Sequence, residues 1–207
     1  MNRITRRMFA SAAVAATLAI PFGLSVAWAQ QPPTTRIRGP IVAVEGSVLT
    51  VTAGEAGNVK VKLTDNVKVF GVVKATLADI KQGDFIGVGA TPQADGSQRA
   101  IQIMIFAESQ RGTGEGHRPW DRPNTTMTNA TVDTSVASVD GQVIAVKYKD
   151  GEKKVIVGPD AVIRRYVVGS KDELKPGANI IIIRAVKQPD GTFEADRVNV
   201  GRDGIVP

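Results

Sequence analysis

The feature that most constrains this chain is an internal repeat with a period of about 95 residues. Glu45-Gly46 has its counterpart in Asp140-Gly141, and in each copy an aspartate, Asp65 or Asp160, follows nineteen residues after the glycine. Two further segments recur near the same offset: Lys81-Gln82-Gly83 with Lys175-Pro176-Gly177, and Ala94-Asp95-Gly96 with Pro189-Asp190-Gly191. Because a repeat decides the architecture of a chain, the sequence predicts two similar small domains rather than one large one.

The N-terminus has the pattern of an export signal. Residues 8–29 carry no charge, and Ala27-Trp28-Ala29 is a small-x-small cleavage site; before them stand three arginines, Arg3, Arg6 and Arg7. This pattern predicts a signal peptide over residues 1–29 and a periplasmic or secreted protein that begins near Gln30. An uncleaved membrane anchor is the alternative, because the charge-free run is about long enough to span a bilayer.

The route of export is left open by the same segment. Thr5-Arg6-Arg7-Met8-Phe9 has the paired arginines and the aromatic residue of a twin-arginine signal, although the usual downstream lysine is missing. An ordinary Sec signal with two adjacent arginines is the alternative. Both routes lead out of the cytoplasm.

Charge and cysteine content exclude several classes of protein. The chain has 26 Lys and Arg against 20 Asp and Glu, and loss of the three signal arginines leaves 23 against 20. That balance is less basic than a nucleic-acid-binding domain requires. The chain has no cysteine, so disulfides, thiolate metal sites and thiol nucleophiles are excluded. Stability must come from packed cores, which small β-barrels can form.

Apolar residues alternate with polar ones in both repeats, which predicts short strands. Each copy shows three strand regions, a helical turn with capping-box spacing (Thr76 with Asp79, Ser170 with Glu173) and two more strands. This is the order of an OB-like barrel, and a small β-sandwich fits the same pattern. We therefore predict an all-β protein of two tandem OB-like barrels, divided as follows: leader 30–38, domain 39–107, Gly/Pro-rich linker 108–129, domain 130–202 and tail 203–207.

The first repeat resembles the DUF5666 type of exported bacterial domain. The resemblance rests on the Gly-Pro-Ile-Val-Ala-Val-Glu-Gly opening at 39–46, the β-turn-β that follows it, and the segment 77–84 before an apolar strand. The second repeat matches more loosely, since Glu173 replaces the aspartate of the first copy and Pro176 replaces its glutamine. The resemblance implies an exported OB-like fold and brings no activity or site residue with it.

The linker is the strongest candidate for a specific function, because it lies outside the repeat. Residues 108–129 have no hydrophobic period and contain three glycines and two prolines. They also hold His117, the only histidine, and Trp120, the only tryptophan outside the predicted signal. Long segments of this kind are often binding elements or plain linkers.

Three interpretations of the linker are open. Arg118 and Trp120 are suited to binding a protein, peptide or glycan partner in the cell envelope, because Trp and Arg are enriched at interaction hot spots. Glu115, His117 and Asp121 supply the imidazole and carboxylate ligands of a metal site, although one histidine without cysteine makes a weak ligand set. In the structural interpretation Trp120 anchors the linker on a barrel wall, Arg118 pairs with Asp121, and His117 is solvated.

Catalysis and nucleic-acid binding have less support. A Ser-His-Asp unit would have to use His117, and no Gly-x-Ser-x-Gly elbow is present. Basic strand faces exist, with Phe70, Tyr148 and Tyr166 as candidate stacking residues, but aromatics make up 5% of the chain and acids are interspersed. The sequence predicts a non-catalytic exported binding or adaptor protein without cofactor or nucleic-acid partner, in contact with a membrane only during export. A periplasmic metal-handling protein is the alternative.

Overall fold

A computed structural model describes residues 32–138 and 141–207 of the chain, with side chains described outside residues 136–141. The predicted signal peptide, the first two leader residues and the Asp140 turn residue lie outside the described residues. None of the described helices is long and apolar enough to cross a membrane.

The described residues form twelve strands and four short 3-10 helices, which confirms the all-β prediction. The short helices are Gly54–Ala56, Leu77–Asp79, Glu108–Gln110 and Lys171–Glu173. The strands are β1 Thr34–Glu45, β2 Val48–Thr52, β3 Asn58–Lys74, β4 Phe85–Pro92, β5 Gln98–Ile105, β6 Gly116–Pro119, β7 Thr126–Ser138, β8 Gly141–Tyr148, β9 Gly151–Val157, β10 Val162–Val168, β11 Asn179–Lys187 and β12 Phe193–Gly201.

The strands close into two five-stranded barrels with the same order. In barrel 1 the order is β1-β2-β3-β12-β11, closed by the pairing of β11 with β1. In barrel 2 it is β7-β8-β9-β5-β4, closed by the pairing of β4 with β7. In both barrels the third and fourth strands of this order run parallel, β3 with β12 and β9 with β5, and the other neighbours are antiparallel. This arrangement confirms the OB-like barrel.

Each barrel takes strands from both repeats. β4 and β5 belong to the first repeat in sequence but close the barrel of β7, β8 and β9, while β11 and β12 of the second repeat close the barrel of β1, β2 and β3. The boundaries 39–107 and 130–202 therefore describe the sequence repeat and do not coincide with the barrels. Residues 32–207 form one compact unit rather than two separate domains.

The exchange is reciprocal, and the same backbone hydrogen bonds fix it in both directions. In each copy a glycine with left-handed φ, +86° at Gly83 and +87° at Gly177, turns the chain before the fourth strand, a conformation that glycine adopts without penalty. The backbone N–H of each of these glycines then donates a hydrogen bond to a carbonyl oxygen in the first strand of the other repeat. The bonds are Gly83 N to Val132 O at 2.8 Å and Val132 N to Asp84 O at 2.8 Å, then Gly177 N to Ile41 O at 2.8 Å and Ile41 N to Ala178 O at 2.9 Å.

The two cores follow the barrels, not the repeats. The core of barrel 1 combines Ile41, Leu49 and Val61 of the first repeat with Ile180 and Val198 of the second. The core of barrel 2 combines side chains of the first repeat with others of the second, among them Ile86, Val88, Ile103, Ile144 and Val155. Burial of these apolar side chains is the main force that stabilises each barrel, so each repeat is stabilised through the other.

A continuous sheet joins the barrels. The second half of β3 extends past the end of β2, stays paired with β12 through residues 68–72, and pairs on its other edge antiparallel with β10, so that Phe70 to Lys74 lie opposite Val168 to Arg164. β10 then pairs in parallel with β5 of barrel 2. Residues 34–38, predicted as a leader, are the first part of β1 and pair with β11.

Candidate functional site

The linker is folded onto barrel 2. Within it β6 pairs antiparallel with β7, which begins at Thr126 and so lies partly inside the predicted linker. Gln110 is buried and its side-chain carbonyl accepts a hydrogen bond from Ala107 N at 3.1 Å. The Asn129 amide donates to Thr113 O at 2.9 Å. The linker is therefore an added layer of the barrel with fixed backbone contacts.

Trp120 packs against the outside of barrel 2. A Cβ atom at Gly89 would lie 2.6 Å from Cζ3 of the indole, so the ring occupies the space that a side chain on β4 would fill. The indole is half-buried, and the Trp120 backbone N–H donates to Thr125 O at 3.0 Å. This position matches the interpretation of Trp120 as an anchor and leaves part of the ring exposed.

Arg118 is exposed but held in place. Its Nη1 donates to Gly114 O at 2.8 Å, and its backbone lies in β6 opposite Met127. It does not pair with Asp121, as the structural interpretation expected, because Asp121 pairs with Arg36 of β1 instead. The Arg36–Asp121 contact ties the linker to the first strand of barrel 1.

The three residues suggested as metal ligands have separate partners. Glu115 accepts a hydrogen bond from Lys149 N at 3.1 Å, His117 Nδ1 lies 2.8 Å from Thr128 Oγ1, and Asp121 pairs with Arg36. The structure does not bring them together, and residues 32–138 and 141–207 contain no group of three His, Asp or Glu side chains placed to hold a metal ion.

The surroundings of His117 are unfavourable for a cation. Partial burial lowers the pKa of the imidazole below its usual 6.5, and the positive charges of Lys153 and Arg118 lower it further. The same charges oppose binding of a metal ion at this ring. The imidazole is therefore best described as a neutral hydrogen-bonding partner of Thr128.

A cavity of about 400 Å³ lies where the continuous sheet meets barrel 2. The short helix 77–79, the end of β5 and β10 surround it, and its lining includes Asp79, Phe106, Glu108, Arg165 and Tyr166. Arg165 donates from Nη2 to Asp79 O at 2.8 Å, while its buried Nε has no partner among the described residues. Sequence reasoning named Tyr166 only as a stacking candidate and did not find this cavity.

The carboxylates of the cavity serve local structure. Hydrogen bonds from Thr76 hold the pKa of Asp79 below its usual value, and a hydrogen bond from Arg111 does the same for the pKa of Glu108. Both groups therefore stay ionised at neutral pH. A general acid requires a raised pKa, so these two side chains do not form an acid–base pair.

Aromatic rings run from barrel 2 across the continuous sheet to barrel 1. Ring centroids are 5.3 Å apart for Phe85 and Phe106, 5.6 Å for Phe106 and Tyr166, and 6.3 Å for Tyr166 and Phe70. Tilted and edge-on contacts at these distances are favourable. Burial raises the pKa of the Tyr166 phenol, while nearby Arg197, Arg36 and Arg164 oppose that rise.

Comparison of the chain with protein-family models, with curated proteins and with solved structures found no match. The resemblance to DUF5666-type domains accordingly stays a prediction.

Proposed function

We propose that this chain is a non-catalytic exported binding or adaptor protein that acts in the cell envelope. The observation that supports this best is the fixed presentation of Arg118. The pairing of β6 with β7 and the bond from Arg118 Nη1 to Gly114 O hold an exposed guanidinium in one place. A preorganised charge loses little conformational freedom on binding.

Trp120 is the second element of the proposed surface. Its ring is anchored on Gly89 and only half-buried, so the exposed part offers rigid apolar area two residues along the chain from Arg118. A rigid aromatic side chain next to an arginine is typical of interaction hot spots. The proposed partner is a protein, peptide or glycan with an acidic group for Arg118 and an apolar group for Trp120.

Export to the periplasm is part of the same proposal and rests on residues 1–29. N-terminal sequencing of the protein recovered from the periplasm tests it. We expect the recovered chain to begin near Gln30, and recovery of the protein only from the cytoplasm with an intact N-terminus would contradict it.

Quantitative pull-down from envelope extract tests the binding function. We expect Arg118→Ala and Trp120→Ala to lose the same captured partners. Arg122→Ala is the matched control, because Arg122 is another exposed arginine of the linker, and its captured set should equal that of the unaltered protein. Circular dichroism checks that each variant is folded. Identical captured sets for all four proteins would overturn the role of this surface.

A further inference from the structure

Two pairs of positive side chains face each other across strands of the continuous sheet. Lys68 of β3 lies directly opposite Arg197 of β12. Lys74, the last residue of the same strand, lies directly opposite Arg164 of β10. Like charges directly opposite each other in a sheet destabilise it. The fold therefore carries an electrostatic cost at two places on one strand.

All four side chains belong to one outward face. On β3 the alternate residues Val67 and Val69 point into the core of barrel 1, as Val198 does on β12. Because successive side chains of a strand alternate between faces, the basic residues point away from that core. Lys68 and Lys74 are exposed, and Arg164 and Arg197 are half-buried.

Within the described parts of the chain, none of these four side chains has an ion-pair partner. The described ion pairs that contain a lysine or arginine use Arg36, Arg99, Arg111, Lys147 and Arg202. Two uncompensated pairs six residues apart on one strand are separated by about 20 Å. This separation fits an extended ligand better than a single small ion.

The middle of the face is apolar. Val168 of β10 lies opposite Phe70 and is 77% exposed, the highest value among the exposed large apolar side chains described. The residues of β3 that lie between Lys68 and Lys74 on this face are covered: Phe70 is 4% and Val72 0% exposed, and the guanidinium of Arg197 lies 5.6 Å from the centre of the Phe70 ring. A ligand on this face would therefore contact basic side chains at each end and the exposed Val168 side chain between them.

We propose that this face binds an acidic polypeptide segment with two groups of carboxylates separated by an apolar side chain. The carboxylates would pair with Lys68 and Arg197 at one end and with Lys74 and Arg164 at the other, which removes the like-charge repulsion. The apolar side chain would cover Val168. This surface is separate in sequence from Arg118 and Trp120, so it extends the proposed binding function to a second contact.

A polypeptide fits this face better than a nucleic acid or a glycan does. Single-stranded nucleic acids are held by bases that stack on exposed aromatic rings, and sugars use ring faces in a similar way. Here the ring of Phe70 is buried, that of Tyr166 is half-buried, and the exposed apolar group is a valine. Carboxylates and an aliphatic side chain are what such a surface recognises.

Binding of synthetic peptides to the full chain, measured by fluorescence anisotropy at low and high salt, tests the proposal. The probe carries two glutamate runs about 20 Å apart in the extended state with a leucine between them, and its counterpart has glutamine in place of glutamate. We expect salt-sensitive binding of the glutamate peptide only. Lys68→Gln with Arg197→Gln, or Lys74→Gln with Arg164→Gln, should each weaken that binding about tenfold.

A matched control and a stability measurement make the outcome decisive. Lys60→Gln with Lys62→Gln removes two exposed lysines of β3 away from the two pairs and should leave peptide affinity unchanged. The variant Lys74→Gln with Arg164→Gln should melt at the same or a higher temperature than the unaltered protein, because a repulsion is removed. Equal affinity for both peptides, or unchanged affinity in the paired variants, would overturn the proposal. Tighter binding of single-stranded DNA than of the glutamate peptide would also overturn it.

Discussion

At the scale of single residues, the pKa of the His117 imidazole depends on the burial and the charges around the linker. Burial, Lys153 and Arg118 place its pKa below 6.5 in the folded protein. Between that lowered pKa and the unfolded value near 6.5 the unfolded chain binds more protons, so stability rises with pH across this window. The contribution is complete above 6.5 and is lost as the pH falls towards the folded pKa.

A proton NMR titration measures this directly, because the chain has one histidine. We expect the His117 resonance to titrate with a midpoint below 6.5. His117→Asn should remove the corresponding pH dependence of the unfolding free energy. A midpoint at or above 6.5 would contradict the described burial and positive surroundings of the ring.

Gly89 is the residue that admits the indole of Trp120. Gly89→Ala places a Cβ atom 2.6 Å from the ring, so the indole must move, at a cost of about 1–3 kcal/mol in stability. In a Trp28→Phe background Trp120 is the sole tryptophan, and we expect red-shifted emission and stronger quenching by acrylamide. Gly71→Ala, which meets the flexible end of Arg202 instead, should leave the emission unchanged. An unaltered Gly89→Ala spectrum would contradict the packing.

At the scale of elements, one ion pair secures the point where the exchanged strands return to barrel 1. Glu173, in the short helix before β11, accepts two hydrogen bonds of 2.8 Å from Arg202, just after β12. Arg202 also donates from its backbone N–H to Val72 O at 3.0 Å. The hydrogen bonds from Arg202 lower the pKa of Glu173, so the stabilisation is present above its usual pKa near 4.5 and is lost as the pH falls below it.

Urea unfolding of two variants tests this ion pair. Glu173→Gln should cost about 1–2 kcal/mol at neutral pH, because a partly buried bidentate pair is lost. Asp160→Asn is the control, since Asp160 meets Arg99 through a single 3.3 Å contact between more exposed side chains, and it should change stability by less than about 0.5 kcal/mol. Equal losses would show that the pair has no special role.

Most elements of the fold follow from local sequence. The capping pairs were predicted from their spacing, and both form: Thr76 N donates to Asp79 Oδ2, and Ser170 N to Glu173 Oε1, each at 2.8 Å. β6 was not predicted, because its four residues, Gly116–Pro119, are too few to show a period and include glycine and proline. Such short strands are recognised only by their pairing partner.

The choice of pairing partner was not predictable from the repeat. Alternation of apolar residues fixes which face of a strand is buried, but it is the same whether β4 joins β1 or β7. The two copies offer similar edges, so the sequence predicts the strand order and not the exchange. For the same reason the Arg36–Asp121 pair, formed by residues 85 positions apart, could not be anticipated, and a local pairing of Asp121 with Arg118 was expected.

At the scale of the whole molecule, the exchange makes two barrels into one folding unit. Each core contains side chains of both repeats, so neither barrel retains its packing when one repeat unfolds. The strand exchange also fixes the relative position of the two surfaces proposed for binding, because β3 and β10 form the sheet that joins the barrels. Both proposed binding surfaces therefore depend on the exchanged pairing.

Disulfide trapping tests that pairing most directly, because the chain has no cysteine of its own. Thr34 of β1 lies opposite Val186 of β11, and strand neighbours of this kind are close enough for a disulfide. Thr91 of β4 occupies the position that corresponds to Val186 in the other repeat, because Thr91 lies opposite Arg99 as Val186 lies opposite Glu194. Under mild oxidation Thr34→Cys with Val186→Cys should form an intramolecular disulfide, seen by mass spectrometry, and Thr34→Cys with Thr91→Cys should not. The opposite result, with the second pair bridged and the first reduced, would contradict the exchange and restore two separate tandem barrels.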